Sequence, residues 1–103
     1  MFDNKRYVTK GIIDTIPEYL QNILWYLIET LEVRQIDRFQ VFELCGVYKD
    51  SKYKQKITHS QEHPPYRKED IITVNTPVTA KVFVIDDGDH STMLMAEEYQ
   101  DER

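Results

Sequence analysis

Two short clusters in this chain have the residue types of catalytic or metal sites. His59-Ser60-Gln61-Glu62-His63 spells H-x-x-E-H, the order found in inverted zinc peptidases. That chemistry needs a helix, on which residues four apart share a face and reach one zinc. Here Ile57-Thr58 favour a strand, and Pro64-Pro65 follow at once. On a strand the two imidazoles would stand about 13 Å apart, four rises of roughly 3.3 Å. The segment is therefore expected to be a strand running out into a loop, with no zinc. The second cluster, Asp86-Asp87-Gly88-Asp89-His90, is a dense acidic turn. Its carboxylates suit Ca²⁺ or Mg²⁺, but the twelve-residue calcium-loop spacing and its closing Glu are missing. Asp and Gly are also what a tight hairpin requires. Asp86, Asp87, Asp89 and His90 stand as a candidate functional turn, with a plain hairpin turn as the leading reading.

Tyr48-Lys49, Lys52-Tyr53-Lys54 and Lys56 interleave rings with positive charge, as single-strand nucleic-acid binders do. No glycine-aromatic RNA motif accompanies them. A solvated basic loop over Lys49–Lys56 is the first expectation, and an acidic protein partner the second. Cys45 has no Cys–His nucleophile signature around it and is expected to be buried as a small apolar side chain. Phosphate loops, G-x-S-x-G, C-x-x-C and dinucleotide fingerprints are absent from the sequence.

These residues must be positioned by a small set of elements. Thr15 to Arg34 carries Ile16, Leu20, Ile23, Leu24, Leu27, Ile28 and Leu31 at helical three- and four-residue steps. Thr15 and Glu18 have capping-box spacing, and Pro17 suits a first turn. On a helical wheel the stripe centres between Leu27 and Leu31, and Trp25 falls nearly opposite among polar residues. A tryptophan there is either covered by another part of the chain or marks an interface. Arg6–Thr9, Phe39–Leu44, Gln55–His59 and Asp70–Val74 read as strands, with Gln55–His59 at an edge. Thr79–Ile85 and Ser91–Ala96 form a hairpin around Asp87-Gly88. In it Ala80, Val82 and Val84 share an apolar face with Met93 and Met95.

Length and charge set limits. The 103 residues are 41% hydrophobic and 30% charged, with net charge −5, which opposes general nucleic-acid affinity. The charge is uneven: residues 1–48 carry −2, 49–68 carry +4 and 69–103 carry −7. The lone cysteine allows no intrachain disulfide and fits a reducing cytoplasm. No apolar stretch is long enough for a membrane span.

The blocks RYVTKGI, PEYLQNILWYLI, QVFEL and KVFVIDDGDHSTMLMAEEY resemble a family of small proteins of Gram-positive bacteria, domain-of-unknown-function family 960. The resemblance runs from about Arg6 to Tyr99. It implies a compact intracellular α+β domain, sometimes carried on mobile elements, and brings no catalytic residues with it.

The expected architecture is α+β in two layers within one domain over 1–103. One long amphipathic helix packs on a mostly antiparallel sheet of about five strands, and an acidic tail frays from about residue 100. The expected function is that of a non-enzymatic cytoplasmic protein-binding or adaptor module. It needs no cofactor and acts on a protein partner or as a homodimer. The candidate contact residues are Trp25, Tyr26, Glu29, Tyr48, Lys52, Tyr53 and Lys54. The rival readings are a metal-dependent hydrolase using the acidic turn or His59–His63, and a weak nucleic-acid binder using Lys49–Lys56.

Overall fold

The computed structural model describes residues 1–100; the expected frayed tail reaches into 101–103, outside the described residues. The chain runs β1 (Lys5–Val8), α1 (Lys10–Thr15), α2 (Glu18–Glu29), β2 (Phe39–Lys49), β3 (Lys52–Gln61), β4 (Tyr66–Thr73), β5 (Ala80–Asp86) and β6 (His90–Met95), with a closing 3-10 turn over Ala96–Glu98. The six strands form one sheet in the order β1-β6-β5-β2-β3-β4. Every pairing is antiparallel except β1 with β6.

This corrects the expected fold class. The molecule is mostly sheet, with six strands rather than about five, and its main helix has 12 residues rather than twenty. Ile16 is the reason. It precedes Pro17, and the proline ring drives its predecessor out of the helical region; Ile16 sits at φ −107°, ψ 116°. The helical pattern therefore breaks into α1 and α2. Thr15 ends α1, and no Thr15–Glu18 capping box forms. Pro17 opens α2, its carbonyl accepting from Leu20 N and Gln21 N at 3.0 Å each.

The sheet departs from expectation in three further places. Gly46–Tyr53 is hairpin, not loop: β2 and β3 pair out to Lys49 opposite Lys52. Asp50 (φ 55°) and Ser51 (φ 63°) make the left-handed turn between them. Gln55–His59 lies inside the sheet, because β4 pairs along its full length and is itself the edge. In the β5–β6 hairpin Asp87 N donates to His90 O at 2.9 Å, so the turn is Gly88-Asp89, one residue later than expected, with Gly88 at φ 98°. The apolar face survives, since Val82 pairs with Met95 and Val84 with Met93.

One core holds these elements together. Ile12, Leu20, Leu24 and Ile28 from the helices, with Ile16 between them, meet Phe42, Leu44, Ile57, Val82, Val84, Met93 and Met95 from the sheet. Trp25 belongs to this core and is 7% exposed. The buried face of α2 is thus rotated toward Trp25 and away from Leu27, which is only partly buried. β1 explains the rotation. It places the Arg6 guanidinium 4.7 Å from the Trp25 ring centre, and Arg6 also pairs with Glu29 at 2.8 Å. Trp25 is therefore covered by its own chain and does not point away from the core.

Candidate functional site

The two catalytic-looking clusters come apart in the structure. His59 is 2% exposed, stacked on Phe42 at 4.3 Å. Its Nε2 lies 2.7 Å from Gln40 Oε1. Gln40 spends its amide on Asp37 O and Gln61 Oε1, so its oxygen only accepts and His59 Nε2 carries the proton. Burial, helped by the charge of Lys68, lowers the His59 pKa to about 4. His63, by contrast, is out in solvent after β3, its side chain 86% exposed. The two histidines are not a pair.

Asp86 is occupied by structure. Its carboxylate accepts from Phe2 N at 2.8 Å, Gly88 N at 2.7 Å and Asn4 Nδ2 at 3.1 Å. Burial pushes its pKa up, but the hydrogen bonds from Phe2, Gly88 and Asn4 outweigh that and hold it below the ordinary value. Asp87 stands 3.7 Å from Arg38 and 3.5 Å from the His90 ring, while Asp89 is exposed at the turn. Among the described residues no group of three or more His, Cys, Asp or Glu could hold one metal ion.

The remaining candidates are surface residues. Tyr26 is 61% exposed on the outer side of α2. Tyr48 and Tyr53 face each other across the β2–β3 hairpin, rings 4.8 Å apart. Lys52 and Lys54 stand on the other side of that ribbon. Cys45 is exposed, against the expectation of burial, because on β2 it alternates with buried Leu44.

The helices cover only one side of the sheet. On the other side every strand residue except Thr58 is half-exposed or exposed, and this open face has a definite chemistry. Phe39 and Val41 of β2, Phe83 of β5 and the ring of Tyr99 line a hollow of about 430 Å³, rimmed by Asp37, Glu62, His63 and Lys81. Phe39 and Phe83 lie 4.9 Å apart. Tyr99 meets both edge-on, at 5.4 and 5.6 Å. Toward the β2–β3 turn the same face becomes basic. By strand alternation it carries Lys49 on β2 and Lys52, Lys54 and Lys56 on β3, while Arg67 on β4 lies at the other end, level with Val41. Lys5 and Lys81 add charge on β1 and β5. Among the described residues the strands of this face thus carry seven Lys and Arg against Glu43 and Glu69, with Asp37 and Glu62 adding two carboxylates at the rim of the hollow.

Sequence reading missed the hollow, yet a signal for it existed. Val82-Phe83-Val84-Ile85 is apolar without alternation, and Phe39 and Val41 sit beside Phe42 and Leu44. A strand apolar on both sides announces a second apolar face.

No described helix is long and apolar enough to cross a membrane. The fold is similar to the crystal structure of a protein of unknown function from Enterococcus faecalis, with a TM-score of 0.71 and 23% identity over 96% of this chain and 93% of that one. No curated protein matches the sequence. A family described as a staphylococcal protein of unknown function, DUF960, matches residues 5–98, and the chain belongs to that family.

Proposed function

We propose that this protein is a binding module for another protein and that the open face of its sheet is the contact surface. The observation that carries this reading is the aromatic hollow of Phe39, Val41, Phe83 and Tyr99 on a face that neither helix covers. Apolar surface left in water beside polar residues is typical of a contact site. Aromatic side chains supply much of the energy where proteins meet. The hydrolase reading loses support because Asp86 is engaged by Phe2, Gly88 and Asn4, and because His59 is sealed behind Gln40 and Phe42. The lone free cysteine favours a reducing, cytoplasmic setting.

Site-directed photo-crosslinking in cells tests the reading. A crosslinking side chain at Val41 or Thr92, on the open face, should yield adducts to another protein. The same group at Asn22 or Glu18, exposed on α2, should not. Adducts from the helix side alone, or from neither side, would rule out the open face as the contact surface.

A further inference from the structure

The chemistry of the open face also constrains what can dock there, a step that rests on the protein-binding reading above. We infer that the partner presents an extended acidic segment with one large apolar anchor. The anchor enters the hollow between Phe39, Phe83 and Tyr99, and the acidic residues lie along the lysines of the β2–β3 hairpin.

Three observations carry this. The first is charge. The protein as a whole is at −5, yet on this face seven basic residues stand against four acidic ones, Glu43 and Glu69 on the strands and Asp37 and Glu62 on the rim of the hollow. That asymmetry is electrostatically complementary to an anionic ligand. It also disfavours two copies stacked open face to open face, because like charges would meet.

The second is segregation along the strands. The hollow lies level with Phe39 and Val41, whereas the lysine-rich part begins at Cys45, opposite Lys56, and ends at Lys49, opposite Lys52. At roughly 3.3 Å per residue, that is about 13–26 Å beyond Val41. An extended peptide can put an uncharged anchor at one end of this track and carboxylates at the other. A single-stranded nucleic acid cannot, since it repeats a phosphate with every base. It would lay phosphates beside Asp37 and Glu62 on the rim of the hollow and beside Glu43 on the track. Nucleic-acid grooves interleave rings and cations along their length; here Lys81 alone stands over a ring of the hollow, that of Phe83, and the lysines near the β2–β3 turn have no ring beside them on this face.

The third is the occupant already in place. Tyr99 follows Glu97 and Glu98 in the sequence and sets its ring edge-on against Phe39 and Phe83, at 88° and 85°. Tyr99 thus shows that the hollow accepts an aromatic ring edge-on, with open volume left beside it, while the Glu98 carboxylate is held by Thr9 and Met95 N.

The test uses the full chain and synthetic probes read by fluorescence anisotropy. The first probe is an extended peptide of about ten residues, with a phenylalanine near one end and glutamates starting about four residues on. Matched peptides replace the phenylalanine by alanine or the glutamates by glutamine. The fourth probe is a mixed-sequence DNA single strand. The first peptide should bind, and both replacements should weaken it. Raising the salt concentration should weaken it as well. The double variant Lys54→Glu/Lys56→Glu should lose at least about tenfold in affinity. Lys10→Glu, on α1 and away from the face, should change nothing. Phe83→Ala should also weaken binding. Thermal melts establish which variants fold, and the charge reversals, all at surface positions, keep the test valid if Phe83→Ala does not fold.

Tighter binding of the DNA strand than of the peptide would overturn the inference in favour of a nucleic-acid surface. Self-association that blocks the face and is abolished by the lysine reversals would overturn it in favour of a homodimer. Peptide binding that ignores the glutamates or the lysines, or no peptide binding up to about 1 mM, also sinks it. Protein adducts at Val41 or Thr92 combined with any of these results would leave the protein-binding reading standing and remove only this description of the partner.

Discussion

His59 is the residue whose chemistry most depends on where it is held. Neutral, it donates to Gln40 and stacks on Phe42; charged, it would be stranded in the core. Its folded pKa of about 4 lies below the ordinary 6.5. As pH falls from about 6.5, the unfolded chain takes up the proton before the folded one does. Stability is therefore fully present above that point and is lost progressively down to about pH 4. The loss from this group amounts to about 3 kcal/mol, at 1.4 kcal/mol per pH unit. Urea unfolding at pH 7 and at pH 4.5 should reveal it, and His59→Phe should flatten the slope between those values. Asp86 adds its own loss at lower pH, because its folded pKa is also depressed. Gly88 poses a purely local question. At φ 98°, with nothing within 4 Å of the point where a Cβ would stand, a side chain there would meet strain but no clash. Gly88→Ala should therefore cost about 1–2 kcal/mol in denaturant unfolding.

At the scale of elements, α2 shows how a correct period can still give the wrong face. Leu20, Leu24 and Ile28 are fully or almost fully buried, while Leu27, near the centre of the wheel stripe, is only partly so. Leu24→Ala should cost about 2–5 kcal/mol in chemical denaturation, and Leu27→Ala clearly less. The cover over Trp25 comes from β1. Arg6 caps the indole, pairs with Glu29 and reaches back toward Phe2 O at 3.4 Å. Arg6→Ala should let water reach the indole, shifting Trp25 fluorescence to the red and lowering the melting temperature. An unchanged emission maximum would mean that Arg6 does not shield the ring. β1 is itself secured by the turn of the hairpin that follows β5. Asp86 accepts from Phe2 N, and Asn4 accepts from Ser91 Oγ at 2.6 Å. Residues more than eighty positions apart thus close the sheet.

For the whole molecule, the governing fact is one sheet with one covered side. Phe42 and Phe83 sit on neighbouring strands of that sheet, but Phe42 is 0% exposed on the helix side and Phe83 is half-exposed on the open side. Phe42→Ala should cost about 3–5 kcal/mol, whereas Phe83→Ala should cost only about 1–2 kcal/mol, its ring being partly wet already. Equal losses in urea unfolding would mean that both faces are core. The molecule thus has a side sealed by the helices and a side whose apolar residues stay partly in water. The second side is where the proposed contact surface lies.

Residue order alone made the local elements and the main apolar face legible. Helical spacing marked Leu20, Leu24 and Ile28. Alternation marked Val82 and Val84 with Met93 and Met95, and Asp-Gly marked the last hairpin to within one residue. Family membership was legible too, in blocks such as KVFVIDDGDHSTMLMAEEY. These are properties of neighbours along the chain, where backbone preference and side-chain period act directly. Long-range packing settled the rest. It placed β1 beside β6, put β3 inside the sheet and β4 at its edge, and turned α2 until Trp25 lay under Arg6. It also left Phe39, Phe83 and Tyr99 together on the uncovered side. The physical reason is that burial depends on which distant segment arrives to exclude water. A residue's own neighbours in sequence carry no record of that.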